Sequence, residues 1–419
     1  MPSAPSAPRA EQLLARYYAG KLQPAQPAGA GAVVAEASAQ RFAWAKPEWG
    51  RYRLRAVVYA APARAGMLTV WAWDIVPEAA VQQARLVLAG MVGALQPDIR
   101  RRLAASSPAT KVALFSRPEQ AWTDIPEHSI WKGTDFGAID LAGVGGTAAV
   151  PVSSFDTRNV LEEADDPYRE ESVVVHEFGH HIHNLALPSC VAAAADAAYA
   201  NAAASGAYTP GAYMISSVYE YMANAVAAWF QGTCRSDVND GIVSRPRLLA
   251  RDPTLFALLQ YVFTPAVARM KYRSVCPNCR TKWAPEAQVA LLEPGPPVPL
   301  VPLALERCVG PDSGWRPVPY DAPDCADAAP GCRAGALAGR CDSHAGMLAR
   351  CRRSCGVCHQ VSSSAGCADA DAACGVAAGV QGRCRNDSAA LGPRGMACMV
   401  SCGRCSAAAP SPSPSAAPP

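Results

Sequence analysis

The sequence is short of charge: Asp, Glu, Lys and Arg make up 17% of its 419 residues, and the formal net charge is +3. A chain so near neutrality carries no signature of nucleic-acid or polyanion binding. No stretch approaches the ~18 uninterrupted apolar residues that a membrane span needs, so no membrane span is expected. Cysteine is missing from the whole N-terminal part, the first being Cys190. An apolar targeting core is missing too. Met1 to Ala10 is mostly Pro, Ser and Ala, so no secretory signal is visible. Either the start of the chain is incomplete or mis-assigned, or the protein leaves the cell by an unusual route.

What is present is a crowd of cysteines at the other end. Twelve of the 17 lie between Cys325 and Cys405. Thiols so concentrated indicate disulfides and an oxidising compartment, hence a secreted, extracellular protein. The length allows two or three domains.

Along the chain, residues 1–40 are rich in Ala, Pro and Gly and read as a flexible leader with a short helix around Glu11 to Tyr18. Residues 41–275 have globular composition. Met67 to Trp73 and Lys111 to Ser116 suit strands, and Ala149 to Ser154 suits an edge strand because of Pro151. Glu78 to Ser106 has a helical pattern broken by Pro97. Asp166 to Leu187 reads as one long helix capped by Asp165 or Asp166, with Glu170 and Glu171 at its positive end. Further helices are expected over Ser217 to Phe230 and Thr254 to Phe263. Residues 276–324 form a Pro-rich linker, 325–358 and 367–405 two small Cys-rich units, and 406–419 a disordered Ser/Pro/Ala tail. The expected class is α+β: an active-site helix with a small mixed sheet, followed by two disulfide-rich modules.

The chemistry concentrates in His176-Glu177-Phe178-Gly179-His180. Histidines at i and i+4 project from one face of a helix, one turn apart, so both imidazoles reach one Zn²⁺. Glu177 lies beside them and suits the role of general base toward a zinc-activated water. That residue favours a catalytic site over a closed structural one. Metzincins place a third ligand six residues after the second His, where this chain has Ala186, and thermolysin-like enzymes place a Glu 20 residues after it, at Ala200. The first Glu beyond Glu177 is Glu220, which becomes the expected third ligand. It also fits a capping box with Ser217, in which it would only satisfy a backbone N–H. His183 and Asp196 are rival ligands; His183 suits a supporting or packing role better, and His181 is expected to face away from the metal.

With Tyr213-Met-Ile-Ser-Ser-Val-Tyr-Glu220-Tyr-Met-Ala-Asn224 following HEFGH, the segment from about Ala148 to Phe263 resembles the catalytic domain of the anthrax lethal factor-like zinc metallopeptidases. The resemblance includes Asp166-Pro-Tyr before the metal helix and Asp252-Pro-x-Leu after it. It implies a zincin-type fold of the gluzincin kind. His176, His180 and Glu220 would bind zinc, Glu177 would be the general base, and Tyr213 would donate to the oxyanion. The family's second Glu, four residues after the ligand, is Asn224 here. Asn can still support a ligand but brings no charge, so weaker zinc affinity or activity is expected.

The two Cys-rich units have cysteine gaps of 6, 8, 9, 3, 2 and 6, 9, 13, 3, 2 residues. Six cysteines permit 15 pairings, and spacing alone does not choose. Ending in CRRSCGVC and CMVSCGRC, the units resemble ShKT domains. The resemblance implies Cys325–Cys358, Cys332–Cys351 and Cys341–Cys355, then Cys367–Cys405, Cys374–Cys398 and Cys384–Cys402. The Lys-Tyr pair of the channel-blocking toxins is absent, so a binding or spacing role toward an extracellular or cell-surface ligand is expected. Cys190 and Cys234 flank the metal region and can bridge. Cys276-Pro-Asn-Cys279 is half a zinc knuckle at most, and a bond to Cys308 or a local bond suits it better.

The sequence therefore points to a secreted zinc peptidase acting on proteins or peptides. The alternative is a degenerate peptidase domain serving as an extracellular binding protein, with Asn224 as its support.

Overall fold

The computed structural model describes residues 7–22, 37–38, 42–58, 68–105, 111–235, 237–263, 296–303, 305–308, 327–337, 350–351 and 354. Among these, six strands form one mixed sheet: β1 (Ala37–Ser38), β2 (Arg51–Val58), β3 (Leu68–Trp73), β4 (Lys111–Phe115), β5 (Gly143–Val144) and β6 (Val152–Asp156), in the order β1-β2-β3-β4-β6-β5. β3, β4 and β6 run parallel, while β1, β2 and β5 pair antiparallel to their neighbours. The helices are α1 (Ala7–Tyr18), α2 (Glu78–Ala94), α3 (Pro97–Ala105), α4 (Thr157–Val160), α5 (Val173–Leu185), α6 (Ser189–Ser205), α7 (Val218–Trp229), α8 (Arg245–Arg251), α9 (Pro253–Val262) and α10 (Cys332–Leu337). The architecture is thus α+β with a small mixed sheet, as expected.

Side-chain alternation divides the sheet between two cores. Leu68, Val70, Ala72, Val112, Leu114 and Phe155 face the larger one, filled by α2, α5, α6, α7 and α9. Trp73, Ala113, Phe115 and Val152 face the second, where Trp49, Trp122, Trp131 and Phe136 gather. Every residue of β4 is buried, as befits a central strand covered on both faces. Each Leu, Val or Phe so buried contributes about 1.5–3 kcal/mol.

Three expected elements sit differently. Val152–Asp156 is an interior strand between β4 and β5; Pro151 lies just before it, where its missing N–H costs no bond of the ladder. The metal helix begins at Val173, capped by Ser172, whose hydroxyl accepts from Val175 N. Asp166 instead holds a turn, accepting from Tyr168 N at 3.0 Å and Asn159 Nδ2 at 2.8 Å. The leader contains a full helix, α1, whose last two residues, Tyr17 and Tyr18, are buried.

Cys190 pairs with Cys308, not with Cys234, which is itself disulfide-bonded. In the first Cys-rich unit the pair Cys332–Cys351 is formed. Cys276, Cys279, Cys325, Cys341, Cys355 and Cys358, the second unit with its pairs, and the tail lie outside the described residues. None of the described helices is long and apolar enough to cross a membrane.

Candidate metal centre

α5 and α7 pack against each other, and Gly179 lies in that contact. A Cβ built there would stand 3.2 Å from Ala223 Cα and 3.2 Å from Val226 Cβ. The missing side chain lets the two helix axes come close enough for residues on both to meet.

Where they meet, His176, His180 and Glu220 converge, with one ligand atom from each lying within 4.8 Å of the others. His176 Nε2 is 3.2 Å from Glu220 Oε2, His180 Nε2 is 3.6 Å from Glu220 Oε1, and the two Nε2 atoms are 3.2 Å apart. Ligands held at ~2.0–2.1 Å around a tetrahedral ion stand about 3.3 Å from one another. Glu220 Oε2 is buried and faces His176 Nε2. Ser217 does cap α7 by accepting from Glu220 N at 3.2 Å. The Glu220 side chain, however, turns toward the histidines, so only half of the capping box is used.

The segment before α5 is pinned by its backbone. Ser172 N donates to Gly232 O at 2.6 Å, Cys234 N donates to Glu170 O at 2.8 Å, and Asn159 bonds both Glu171 O and Val173 N at 2.8 Å. Glu171 is therefore held outside the helix with its carboxylate 2.9 Å from His176 Nδ1, and Arg235 reaches its other oxygen at 3.2 Å. Burial would raise the pKa of Glu171, but His176 and Arg235 together hold it below the usual carboxylate range. Burial would likewise lower His176, yet Glu171 and Glu220 raise it well above an ordinary histidine. His180 is pushed well down by burial and by the charge of His176.

Asn224, four residues past Glu220, donates to the Glu220 backbone carbonyl at 2.9 Å, and its Oδ1 is buried without a hydrogen-bond partner among the described residues. The carboxylate that meets His176 comes from Glu171 instead. His183 stacks obliquely on Tyr219, with ring centroids 5.3 Å apart. His181 turns the other way, to Ser153 Oγ at 2.8 Å.

Glu177 is buried beside the cluster. Burial, aided by the charge of Glu220, pushes its carboxyl up to about 7, against the lowering influence of His176 and of a hydrogen bond from Tyr18. Tyr213 stands in a single helical turn, Tyr213–Ile215, with Glu220 and Glu177 near its hydroxyl. Burial first, then those carboxylates, keep the phenol protonated and able to donate.

Two participants have no counterpart in the motif reading. Glu171 lies before the N-cap, so helix periodicity gives no hint of it. Tyr18 is 159 residues from its partner: its hydroxyl donates to Glu177 Oε2 at 2.9 Å, and its ring stacks on His180 at 3.9 Å. Gly145, just past β5, approaches so closely that a Cβ there would stand 2.4 Å from His180 Cβ.

No family model, curated protein or solved structure matches the chain.

Proposed function

We propose that the chain is a secreted zinc-dependent peptidase of the lethal factor-like, gluzincin type, hydrolysing peptide bonds with Glu177 as general base. The observation that carries this reading is the convergence of His176 Nε2, His180 Nε2 and the two oxygens of the Glu220 carboxylate at 3.2–3.6 Å, beside a buried carboxylate of raised pKa. The spacing and the donor set suit a tetrahedral divalent ion with a position left for a reactant, and zinc is the ion that two imidazoles and one carboxylate most often take.

Zinc, when bound, would supply a Lewis acid that polarises the scissile carbonyl and brings the pKa of a water near neutrality. Glu177 takes up the proton of the attacking water and passes it to the leaving amine. Burial raises the affinity of this carboxyl for a proton, which suits a group that accepts one from water and passes it on. The protonated phenol of Tyr213 donates toward the developing oxyanion. Glu171 holds the His176 ring so that Nε2 faces Glu220. The disulfides Cys190–Cys308 and Cys332–Cys351 support an extracellular setting. The Cys-rich units would then hold the enzyme near an extracellular or cell-surface ligand.

The test is cleavage of a mixed peptide library by the zinc-loaded chain and by its Tyr18→Ala variant, which frees Glu177 Oε2, with each further substitution made in both and metal content measured alongside. Glu177→Gln should keep stoichiometric zinc and lose cleavage, and Glu220→Ala should lose the zinc. Stoichiometric metal in Glu220→Ala, or unchanged cleavage in Glu177→Gln, would overturn the assignment.

A further inference from the structure

His180 and Glu177 are covered by a segment from the start of the same chain. Tyr18, the last residue of α1, lays its ring on His180 with centroids 3.9 Å apart and planes 20° from parallel. Its hydroxyl donates to Glu177 Oε2 at 2.9 Å and accepts from Gly145 N at 3.1 Å. Tyr17 reaches the same glycine from the other side, donating to Gly145 O at 3.2 Å. Both main-chain groups of Gly145, which passes close to His180, and one oxygen of the proposed base are thereby engaged by two consecutive tyrosines. The rings are 2% and 5% exposed, so no room for solvent remains over them.

The phenol of Tyr18 takes up the space against Glu177 Oε2 where a water would have to lie, and a peptide cannot lie over an imidazole face that a tyrosine covers. We propose that α1 is an internal inhibitor: Tyr17 and Tyr18 fill the cleft over His180 and Glu177 in place of a substrate, and the site opens only when α1 withdraws. This rests on the reading of the site as a peptidase centre.

The attachment of α1 is of a kind that can be undone. Besides the contacts to His180, Glu177 and Gly145 it includes Tyr17 on Phe136 at 4.8 Å and edge-on to Trp131 at 5.7 Å, Tyr18 beside Tyr219 at 5.9 Å, partly buried Leu13 and Leu14, and an ion pair between Arg9 and Asp135, both exposed. A 12-residue helix has little stability of its own in water, so α1 is held in shape by its docking and not by itself.

The experiment compares the full-length wild type with Tyr18→Ala and with Arg9→Glu, which weakens the anchorage of α1 without touching the cleft. In the metal-free proteins, carbethoxylation of His180 by diethyl pyrocarbonate is followed by mass spectrometry. In the zinc-loaded proteins, the affinity for acetohydroxamate is measured. A site open less than about a tenth of the time binds a probe about tenfold more weakly than an open one, so both readouts should rise by about tenfold or more in Tyr18→Ala and in the same direction in Arg9→Glu. A synthetic peptide of residues 7–22 should reverse the gain.

Equal reactivity of His180 in all three proteins overturns the inhibitor. Should Tyr18→Ala fail to fold, Arg9→Glu and the added peptide decide. Faster His180 modification without peptide cleavage upholds the inhibitor and counts against the peptidase reading alone. Cleavage in the opened variants upholds both.

Discussion

His176 Nδ1 and Glu171 Oε1 lie 2.9 Å apart, both buried, on residues that no helical repeat relates. The sequence suggested that support for the ligand histidines would be weak, because Asn224 stands where a second carboxylate was expected. The structure supplies that carboxylate from the opposite side. Its position depends on Glu171 lying outside α5, tied by the Gly232 and Cys234 backbone contacts.

Glu171→Gln should therefore weaken zinc binding by about 10–100-fold, the usual cost of losing a carboxylate partner of a ligand histidine. Asn224→Ala should cost much less, since Asn224 contacts only a backbone carbonyl at Glu220. Competition titration against a metal indicator measures both. Equal losses in the two variants would contradict the assignment of Glu171 as the supporting group.

The close approaches at glycine predict an order of damage. Gly179→Ala gains about 1 kcal/mol of helix propensity but overpacks the α5–α7 contact at 3.2 Å, a cost of about 1–3 kcal/mol, so a small net loss is expected. Gly145→Ala meets His180 Cβ at 2.4 Å, where something must move, and should lose more. Urea unfolding of the two variants checks the order. Zinc affinity should fall in parallel, because both contacts position His180.

His128 is fully buried, and its ring nitrogens have no hydrogen-bond partner among the described residues. Burial, and next the charge of Lys111, push its pKa down to about 3. The unfolded chain binds a proton near pH 6.5 and the folded one does not. Stability attached to His128 is therefore constant above about pH 6.5 and is lost as pH falls, by about 1.4 kcal/mol per unit. The difference in stability between wild type and His128→Gln, measured in chelator from pH 7 to 4, should shift against the wild type by that slope. A flat difference would mean that His128 gains a proton in the folded state.

Cys190 and Cys308 close a loop of 118 residues, which ties α6 to the segment Leu305–Cys308. Loops of that size correspond to a few kcal/mol of stabilisation, about 2–4 in practice. The Cys190→Ala/Cys308→Ala double variant should show a lower Tm, and alkylation of unreduced wild type should leave Cys190, Cys234, Cys308, Cys332 and Cys351 unmodified. Labelling of Cys190 without reductant would show that the bridge does not form.

By itself the sequence determined what local spacing can determine. His176 and His180 share a helix face because four residues make about one turn, and Pro97 had to divide α2 from α3 because it lacks an N–H. Lys111 to Phe115 had to be a strand on its β-branched and apolar content, and Asp252 had to cap α9. Glu220 could be singled out because it is the first Glu after Glu177, although spacing could not separate ligand from cap. Only the tertiary structure turned its side chain to the histidines, through the close packing that Gly179 allows. Only the tertiary structure brought Glu171 to His176, Tyr18 to Glu177 and Cys308 to Cys190. Those pairings depend on where separate segments meet after packing, and a pattern that repeats every two or 3.6 residues carries no information about that.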